Sequence, residues 1–488
     1  MWLCSYSKLT SCSFRLAQRY ATALVPNKFS IRKKSNSSYE GGIASSSELL
    51  DHEILKEQYQ LTSRLNSHQQ QLIVVQPWCS HQDSEETPAE MMLEENLSLV
   101  RTLHWTVLES RVLKVKNEDV LFGVGQLKNL KELIGKHESN SSFISSVFIS
   151  TYKLSSRQRL NLEMELKKTI IDRYSLILQI FQQHAQTKEA KLQVQLAEIP
   201  YLKARLFSDL EVENESKHSK QRKGRQWFDK QRLALSRREK RIKSSIEKMK
   251  TQRDVLRSGR SRDKLPVVAV VGYTNSGKTS LIKAMTGSDK VQPEDKLFAT
   301  LDVTCHTTTM PSSLKVGFLD TVGFISDVPT SLIASFNATL EDAASADLLI
   351  HVRDVSNPNH PAQSRQVLQT LRSLNVPNKL LEEMITVGNK IDLLHPEDWE
   401  LIRLDGMSPV STKSGTNMEE LFNTIDQKLI QSTGRTRQTF RVPTGGDTFN
   451  ELMRETFVAR VEACQLDRNF SNVDCVLFHY QLKRFSPN

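Results

Sequence analysis

A short stretch, GYTNSGKTS at residues 272–280, has the residue types and spacing of a phosphate-binding loop. Gly272 is followed after four residues by Gly277, Lys278 and Thr279, between an apolar run and an amphipathic segment. A strand, a glycine-rich turn and a helix start aim backbone N–H groups at phosphate oxygens. We expect Lys278 to reach the β- and γ-phosphates and the Thr279 hydroxyl to bind Mg²⁺. The predicted loop residues are Gly272, Tyr273, Thr274, Asn275, Ser276, Gly277, Lys278 and Thr279.

Three downstream segments favour a bound nucleotide over a glycine-rich turn without a ligand. KVGFLDTVG predicts a strand ending in Asp320, which would hold a magnesium-bound water, and Gly323 would let the backbone approach the γ-phosphate. MITVGNKID ends in Asp392, whose carboxylate would accept two hydrogen bonds from guanine; adenine offers neither donor. SPVSTKSG predicts a further strand and turn beside the base. The residues predicted to bind nucleotide here are Asp320, Thr321, Val322, Gly323, Asn389, Lys390, Ile391, Asp392, Ser411, Thr412 and Lys413.

The chain has 488 residues and a formal net charge of +10, and its positive charge is concentrated in two segments. Residues 1–39 contain seven Lys/Arg and no acid, and residues 217–264 contain nineteen Lys/Arg against five acids. No apolar run approaches the length of a membrane span, so we expect no transmembrane helix. The six cysteines form no CxxC pair and no metal-ligand spacing, which indicates reduced thiols.

The first basic segment, residues 1–39, is Ser-rich and free of acids, which is typical of a mitochondrial transit peptide. A secretory signal would need a longer unbroken apolar core. A disordered basic tail and chloroplast targeting stay open as alternatives. We therefore expect the protein in the mitochondrial matrix.

The second basic segment predicts a long helix with one apolar seam. Apolar residues recur there every seven positions, at Phe228, Leu235, Ile242, Met249 and Leu256. That period predicts packing against the helical stretch predicted at 155–208, as an antiparallel hairpin. A Lys/Arg-rich outer face is usually a solvated face, but the small number of acids favours contact with RNA phosphates.

The predicted fold class is α/β. Apolar runs at 71–77, 104–115 and 143–150 predict strands, and a helix is expected to begin near the Gly-x-Gly turn at 122–125. In the 155–208 stretch, Ile170 and Ile171 are among the expected helical residues. The predicted organisation is a mitochondrial transit peptide at 1–39, a polar linker or disordered segment at 40–70, an N-terminal α/β subdomain at 71–154, a helical hairpin with a basic second helix at 155–264, a P-loop domain with a mostly parallel sheet and flanking helices at 265–433, and a small C-terminal α+β domain at 434–488.

Several motifs together resemble the HflX family of ribosome-associated GTPases. They are GYTNSGKTSLIKAMTG, LFATLDVT, DTVGFISDVPTSLIASFNATLEDAASADLLIHVRDVS and the helical stretch beginning SSRQRLNLEMELKK. The resemblance covers roughly residues 70–433 and is most specific over 272–356. It implies GTP and GDP as ligands and the large ribosomal subunit as partner. It also implies that Thr300 coordinates Mg²⁺ beside Thr279. The switch segment implied by the resemblance is Phe298, Ala299, Thr300, Leu301 and Asp302.

The sequence departs from related patterns at two places. The family usually carries a Gly-Pro-Gly-Glu loop between its two long helices, whereas this chain has KHSKQRKGRQWFDKQRLAL. Phe324 follows Gly323, where Ras-like proteins carry the glutamine that orients the attacking water. Intrinsic GTP hydrolysis should therefore be slow, and a faster rate should depend on catalytic groups or ions supplied from elsewhere. With Asn275 in the loop, a bound K⁺ is a candidate source of charge. The candidate catalytic residues are Lys278, Thr300 and Gly323.

We therefore expect a monomeric mitochondrial GTPase that acts on the large ribosomal subunit and its RNA, and that dissociates or recycles ribosomes. One alternative is an assembly factor in large-subunit biogenesis. Another is a GTP-gated RNA-binding scaffold with little turnover. A GTPase that helps modify transfer RNA is a weaker alternative, because no motif for a partner enzyme is evident.

Overall fold

The computed structural model describes residues 70–78, 89–115, 121–139, 143–215, 221–258, 265–288, 293, 297–298, 304–326, 343–464, 467 and 469–485. All of them belong to one compact unit. Side chains are described except at 205, 207–215, 221–227, 253–258 and 483. The predicted transit peptide, the predicted linker before Gln70, and Ala299, Thr300, Leu301 and Asp302 lie outside the described residues.

The N-terminal domain is a parallel sheet covered by helices on both faces. Its strands are β1 Gln71–Trp78, β2 Thr106–Lys114, β3 Ser146–Ile149 and β4 Thr169–Asp172, and its helices are α1 Ala89–Thr102, α2 Val124–Ser139, α3 Ser156–Leu166 and α4 Arg173–His184. The strand order is β2-β1-β3-β4. β1 is apolar on both sides because both sides are covered: Leu72 and Val74 pack with α1 and α4, and Ile73 and Val75 with α2 and α3. The three predicted strands and the helix start near 122–125 are confirmed.

One prediction for this region is wrong, because residues 155–208 are not a continuous helical stretch. Strand β4 interrupts it, and Ile170 and Ile171 lie buried in that strand rather than in a helix. Helix α3 ends at Lys167, which takes a left-handed conformation with φ 53°. The β-branched residues that follow favour an extended chain, and the Asp172 side chain then caps α4.

Two long helices extend from this domain, α5 Lys188–Glu215 and α6 Gln221–Ser258. Leu202 and Leu206 of α5 pack against Phe228 and Leu235 of α6, so the helices run antiparallel. Ile242, one further step of seven along α6, is 5% exposed. The predicted hairpin and its apolar seam are confirmed as far as Ile242, whereas Met249 is only half-buried.

The P-loop domain follows the hairpin. Its elements are β5 Val267–Gly272, α7 Lys278–Thr286, β6 Thr304–Thr309, β7 Lys315–Asp320, β8 Leu348–Asp354, α8 His360–Ser373, α9 Asn378–Glu382, β9 Ile385–Asn389, α10 Pro396–Leu404, β10 Ser408–Pro409 and α11 Met418–Ser432. The strand order is β10-β9-β8-β5-β7-β6, and within this sheet β6 runs antiparallel to its neighbour. The carboxyl ends of the parallel strands meet at one edge, where ligands bind in sheets of this kind.

A small C-terminal domain completes the described chain. It comprises β11 Arg435–Pro443, α12 Asp447–Glu455, β12 Phe457–Ala463, β13 Phe470–Phe478 and α13 His479–Phe485. The antiparallel sheet has the order β11-β13-β12 and packs Val473, Cys475 and Leu477 with Leu452 and Phe485 of the helices. The predicted α/β fold class is confirmed. Among the described helices, none has the length and apolarity needed to cross a membrane.

The N-terminal and P-loop domains share one apolar cluster. Phe181 of α4 meets Phe298 edge-on, with ring centroids 4.7 Å apart and planes at 85°. Trp105 lies in the same cluster, as do Phe324 and Ile325 on the P-loop side. The two domains therefore bury apolar surface against each other.

Candidate nucleotide-binding site

The loop between β5 and α7 contains two glycines at which the Cβ of a larger residue would clash with neighbouring atoms. A Cβ at Gly272 would lie 2.3 Å from the Val352 carbonyl oxygen, and one at Gly277 would lie 2.2 Å from Asn389 Nδ2. Gly277 also has φ 93°, a conformation that L side chains rarely adopt. It caps α7 without a side-chain hydrogen bond, so the first N–H groups of the helix face the loop.

Lys278, the first residue of α7, lies in the loop with its charge desolvated. Its Nζ donates to the Tyr273 carbonyl oxygen at 2.9 Å. Burial lowers the pKa of Lys278 to about 8, although the nearby Asp320 carboxylate opposes the shift. The buried Thr274 and Ser276 hydroxyls have no hydrogen-bond partner in the described part of the chain. A phosphate group would accept hydrogen bonds from these donors, and its negative charge would raise the pKa of the lysine again.

The groups suited to Mg²⁺ lie at the other side of the loop. The Thr279 hydroxyl donates to Asp320 Oδ2 at 2.7 Å, and Asp320 is 2% exposed at the end of β7. A hydroxyl and a carboxylate beside a phosphate-binding loop are oxygen ligands of the kind that Mg²⁺ prefers. The residues present therefore fit a magnesium ion, with Thr300 outside the described residues.

The segment after β7 is hydrogen-bonded to the loop. Phe324 N donates to the Gly272 carbonyl at 3.1 Å, and Thr274 N donates to the Phe324 carbonyl at 2.6 Å. A Cβ at Gly323 would come within 2.9 Å of Lys278 Nζ, so this glycine permits a close approach of backbone and lysine. The side chains between β7 and Gly323 face inward: Thr321 donates to the Val270 carbonyl at 2.7 Å, and Val322 is buried. Phe324 packs in the apolar cluster and offers no hydrogen bond to a water.

The predicted base-binding residues converge at the ends of β9 and β10. Asn389 Nδ2 donates to the Ser276 carbonyl at 2.9 Å and its Oδ1 accepts from Thr412 N at 3.2 Å, which ties the phosphate loop to the base loop. Buried Ser411 donates to Asp392 Oδ1 at 2.7 Å, so the second carboxylate oxygen can face a base. Asp392 itself is exposed. Ile391 packs into a small apolar cluster, whereas Lys413 is exposed.

Two residues of β8 next to the site escaped the sequence analysis. Asp354 accepts a hydrogen bond from Lys390 Nζ at 2.6 Å; its position at the end of a strand was the signal that could have found it. His351 is 2% exposed. Burial, together with the charges of Arg353 and Lys278, lowers the pKa of His351 to about 3. No sequence signal marked His351.

Residues of the N-terminal domain also reach the loop, and the sequence analysis missed them. The Tyr273 hydroxyl donates to Glu95 Oε2 at 2.6 Å and accepts from Ser326 N at 2.7 Å. Ser326 Oγ donates to Glu95 Oε1 at 2.6 Å. Arg173 contacts Glu95 and donates to the Ser326 carbonyl at 3.1 Å. Burial, with the Glu95 charge adding to it, raises the pKa of Tyr273 well above its usual value, so the phenol keeps its proton.

Phe298, the described residue of the predicted switch segment, also faces the N-terminal domain. Its carbonyl oxygen lies 2.9 Å from His184 Nδ1, and its ring is 2% exposed. The structure thus brings Tyr273, Lys278, Thr279, Asp320, Gly323, Asn389, Asp392 and Ser411 to one edge of the sheet, and turns the side chains of Phe298, Thr321, Val322 and Ile391 inward.

Comparison with known proteins agrees with this geometry. Three family models match, described as GTP-binding GTPase N-terminal over 90–182, GTP-binding GTPase Middle Region over 184–260 and 50S ribosome-binding GTPase over 267–390. The fold and the site define a P-loop GTPase, an enzyme that hydrolyses GTP.

Individual relatives define the family. The chain is 37% identical over 422 residues to Putative GTP-binding protein 6 of Xenopus laevis, covering 83% of this chain and 77% of that protein. It is 38% identical over 392 residues to the Homo sapiens protein of that name, covering 79% and 74%. It is 33% identical over 359 residues to GTPase HflX of Lacrimispora saccharolytica, covering 71% and 80%. The chain belongs to the HflX family of GTPases.

Proposed function

We propose that this GTPase works in mitochondria on the large ribosomal subunit and dissociates or recycles ribosomes. The family model over 267–390 is described as a 50S ribosome-binding GTPase. The acid-free, Ser-rich composition of residues 1–39 supports mitochondrial import. The structural observation that carries the proposal is the outer surface of α6.

Helix α6 turns its apolar seam toward α5 and a basic surface toward solvent. Phe228, Leu235 and Ile242 are buried along the seam. The basic surface is defined by the exposed residues Lys230, Arg232, Arg237, Lys240, Arg241, Lys243 and Lys248. Asp229 and Glu247 are exposed acids on the same helix. Excess positive charge along an extended rod suits the phosphate backbone of RNA, which supplies affinity through counterion release.

In the proposed cycle, the residues at the sheet edge set the nucleotide state. Lys278 and the loop N–H groups would hold the phosphates. The Thr279 hydroxyl would bind the metal and Asp320 would hold a metal-bound water, with Thr300 as a second metal ligand, as the family resemblance implies. When bound, Mg²⁺ supplies positive charge that neutralises the β- and γ-phosphate oxygens. The Gly323 N–H would face the γ-phosphate. Because Phe324 cannot orient a water, fast hydrolysis requires a partner, and the ribosome is the proposed one.

A potassium ion is a further candidate contributor. Asn275 lies in the loop with φ 59°, and its side-chain carbonyl is an oxygen ligand of the type such a cation takes. We expect faster hydrolysis in K⁺ than in Na⁺ at equal ionic strength, and loss of the difference in Asn275→Ala. Equal rates in both salts for the unmodified protein would exclude a potassium role.

Two other functions use the same surfaces. An assembly factor would bind immature large subunits rather than complete ribosomes. A GTP-gated RNA-binding scaffold would bind RNA in the GTP state without turnover stimulated by ribosomes. The sedimentation position of the protein separates the first from ribosome recycling, and ribosome-dependent phosphate release separates the second.

The deciding experiment is sedimentation of the tagged protein on gradients of mitochondrial ribosomes with GTP, a non-hydrolysable GTP analogue or GDP. We expect comigration with the large subunit in the GTP-like states, a fall in intact ribosomes, and release with GDP. Lys278→Ala is the nucleotide-binding control. Identical profiles in all nucleotide states would contradict the proposal, and comigration with immature subunits alone would replace it with the assembly function.

A further inference from the structure

One carboxylate of the N-terminal domain is hydrogen-bonded both to the phosphate loop and to the segment that follows Gly323. Glu95 lies on α1, and each of its oxygens accepts a separate hydrogen bond at 2.6 Å: Oε2 from Tyr273 in the phosphate loop and Oε1 from Ser326 after Gly323. Tyr273 and Ser326 are also joined directly at 2.7 Å. The three residues therefore form a closed ring of hydrogen bonds across the domain boundary.

This ring of hydrogen bonds lies close to Gly323, the residue predicted to approach the γ-phosphate. Gly323 lies three residues before Ser326, and between them Phe324 is hydrogen-bonded in both directions to the phosphate loop. Tyr273 directly follows Gly272. Both segments that flank the site for the γ-phosphate are thus fixed to each other and to Glu95.

These hydrogen bonds are partly buried, and two of the side chains involved are almost fully removed from solvent. Tyr273 is 6% exposed and Arg173 is 1% exposed. Arg173 holds Glu95 in place by pairing with it, and it also donates to Asn96 and to the Ser326 backbone. Charge-assisted hydrogen bonds away from water are stronger and better aligned than exposed ones.

We propose that Glu95 is a positioning residue for GTP hydrolysis: through Tyr273 and Ser326 it fixes the spacing between the phosphate loop and Gly323. A movement of the N-terminal domain then changes the rate of hydrolysis without any contact between that domain and the nucleotide. The proposal rests on the GTPase activity and is independent of the ribosomal role.

Glu95→Gln tests it, because the amide keeps the volume but places an N–H₂ group against one of the two hydroxyls. We expect kcat, normalised to GDP-binding sites, to fall roughly tenfold, since small displacements of reacting groups cost up to about 10²-fold. The affinity for GDP should stay close to that of the parent protein. A purely structural role would lower the melting temperature and the number of active sites, and leave kcat per site unchanged.

Tyr273→Phe removes a single hydroxyl and leaves the Arg173–Glu95 pair intact, so it reports on the same connection if Glu95→Gln folds poorly. The double variant should be no slower than the slower single variant, because both changes break one connection. Multiplying effects would overturn the proposal, as would an unchanged kcat per site in Tyr273→Phe. Glu94→Gln, at the neighbouring exposed position paired with Arg101, is the matched control and should behave like the parent protein.

Discussion

Asp392 is the residue predicted to recognise the base, and one hydrogen bond from Ser411 orients its carboxylate. Ser411 Oγ donates to Oδ1, so in Asp392→Asn the amide oxygen would keep that contact and turn its N–H₂ toward the guanine donors. We expect GTP affinity to fall on the order of 100-fold and affinity for XTP, which offers an acceptor, to rise.

Nucleotide titrations with GTP and XTP on the purified protein measure this change in preference. Glu400→Gln, an exposed carboxylate on α10, serves as the control and should leave both affinities unchanged. Retained preference for GTP in Asp392→Asn would show that the base is recognised elsewhere.

His351 predicts a pH dependence of stability. Its pKa is about 3 in the folded protein, against about 6.5 in an unfolded chain. Between these values the unfolded state binds the extra proton, so stability is complete above pH ~6.5 and is lost as pH falls. The expected loss from this group between pH ~6.5 and ~5 is about 2 kcal/mol.

Denaturant titrations at several pH values test this, with His351→Gln compared against the parent protein. The variant should lack that part of the slope of unfolding free energy against pH. Replacement of exposed His395 with glutamine is the matched control. Equal slopes in His351→Gln and the parent protein would mean that His351 does not titrate as the structure indicates.

Most of the residues that the structure brings to the edge of the P-loop sheet were predictable from the sequence, because phosphate and guanine chemistry restricts residue type and spacing within short segments. The inward direction of Phe298 and Thr321 was not predictable, since a motif names positions but does not say which way each side chain points. Phe298 faces Phe181, which is distant in sequence.

At the scale of elements, the hairpin separates charge from packing. In α6, Arg237, Lys240 and Arg241 are exposed, whereas Arg238 is half-buried. Burial raises the pKa of Glu198, and the nearby charge of Arg238 opposes that shift. Reversing the three exposed residues to Glu should weaken binding to the large subunit steeply with salt, while GTP binding stays intact.

Ile242→Asp is the contrasting change, because it buries a carboxylate in the seam. We expect it to cost ~4 kcal/mol and to unfold the hairpin. Pelleting with the large ribosomal subunit across a salt series measures binding of each variant. Circular dichroism then distinguishes loss of positive charge in a folded hairpin from unfolding of the hairpin. Undiminished binding by the folded charge-reversal variant would make the basic surface an ordinary solvated face.

The sequence predicted the hairpin because a seven-residue repeat is visible over a long helix. It did not predict β4, since four residues are too few for a periodic pattern to distinguish strand from helix. Lys167, which separates α3 from β4, has a left-handed backbone conformation. Glycine usually marks such a position in a sequence, and here a lysine occupies it.

At the scale of the molecule, the shared apolar cluster predicts that the N-terminal and P-loop domains unfold together. Trp105 reports on the first and Trp399 on the second, so variants retaining only one of these tryptophans should give coincident denaturation midpoints. Phe181→Ala, at a cost of about 3–5 kcal/mol, should separate the two transitions. Distinct midpoints before that change would show that the domains are independent.

Domain classes were predictable from local patterns, but the contacts between domains were not. Glu95 and Tyr273 are 178 positions apart, and neither belongs to a motif that names the other. Contacts of this kind depend on how two folded domains pack against each other. A pattern within a short segment of sequence does not contain that information.

Helix α6 has 38 residues and therefore spans ~57 Å at 1.5 Å per residue. Its last residue, Ser258, lies only nine positions before the start of β5, the strand that leads into the phosphate loop. The C-terminal end of the helix is therefore close in sequence to the phosphate loop, and its N-terminal end is far from it. The length of the hairpin would then set the distance between the nucleotide site and a partner bound at the other end of the hairpin. Insertion of whole turns into both helices should lengthen that distance without altering the GTPase chemistry.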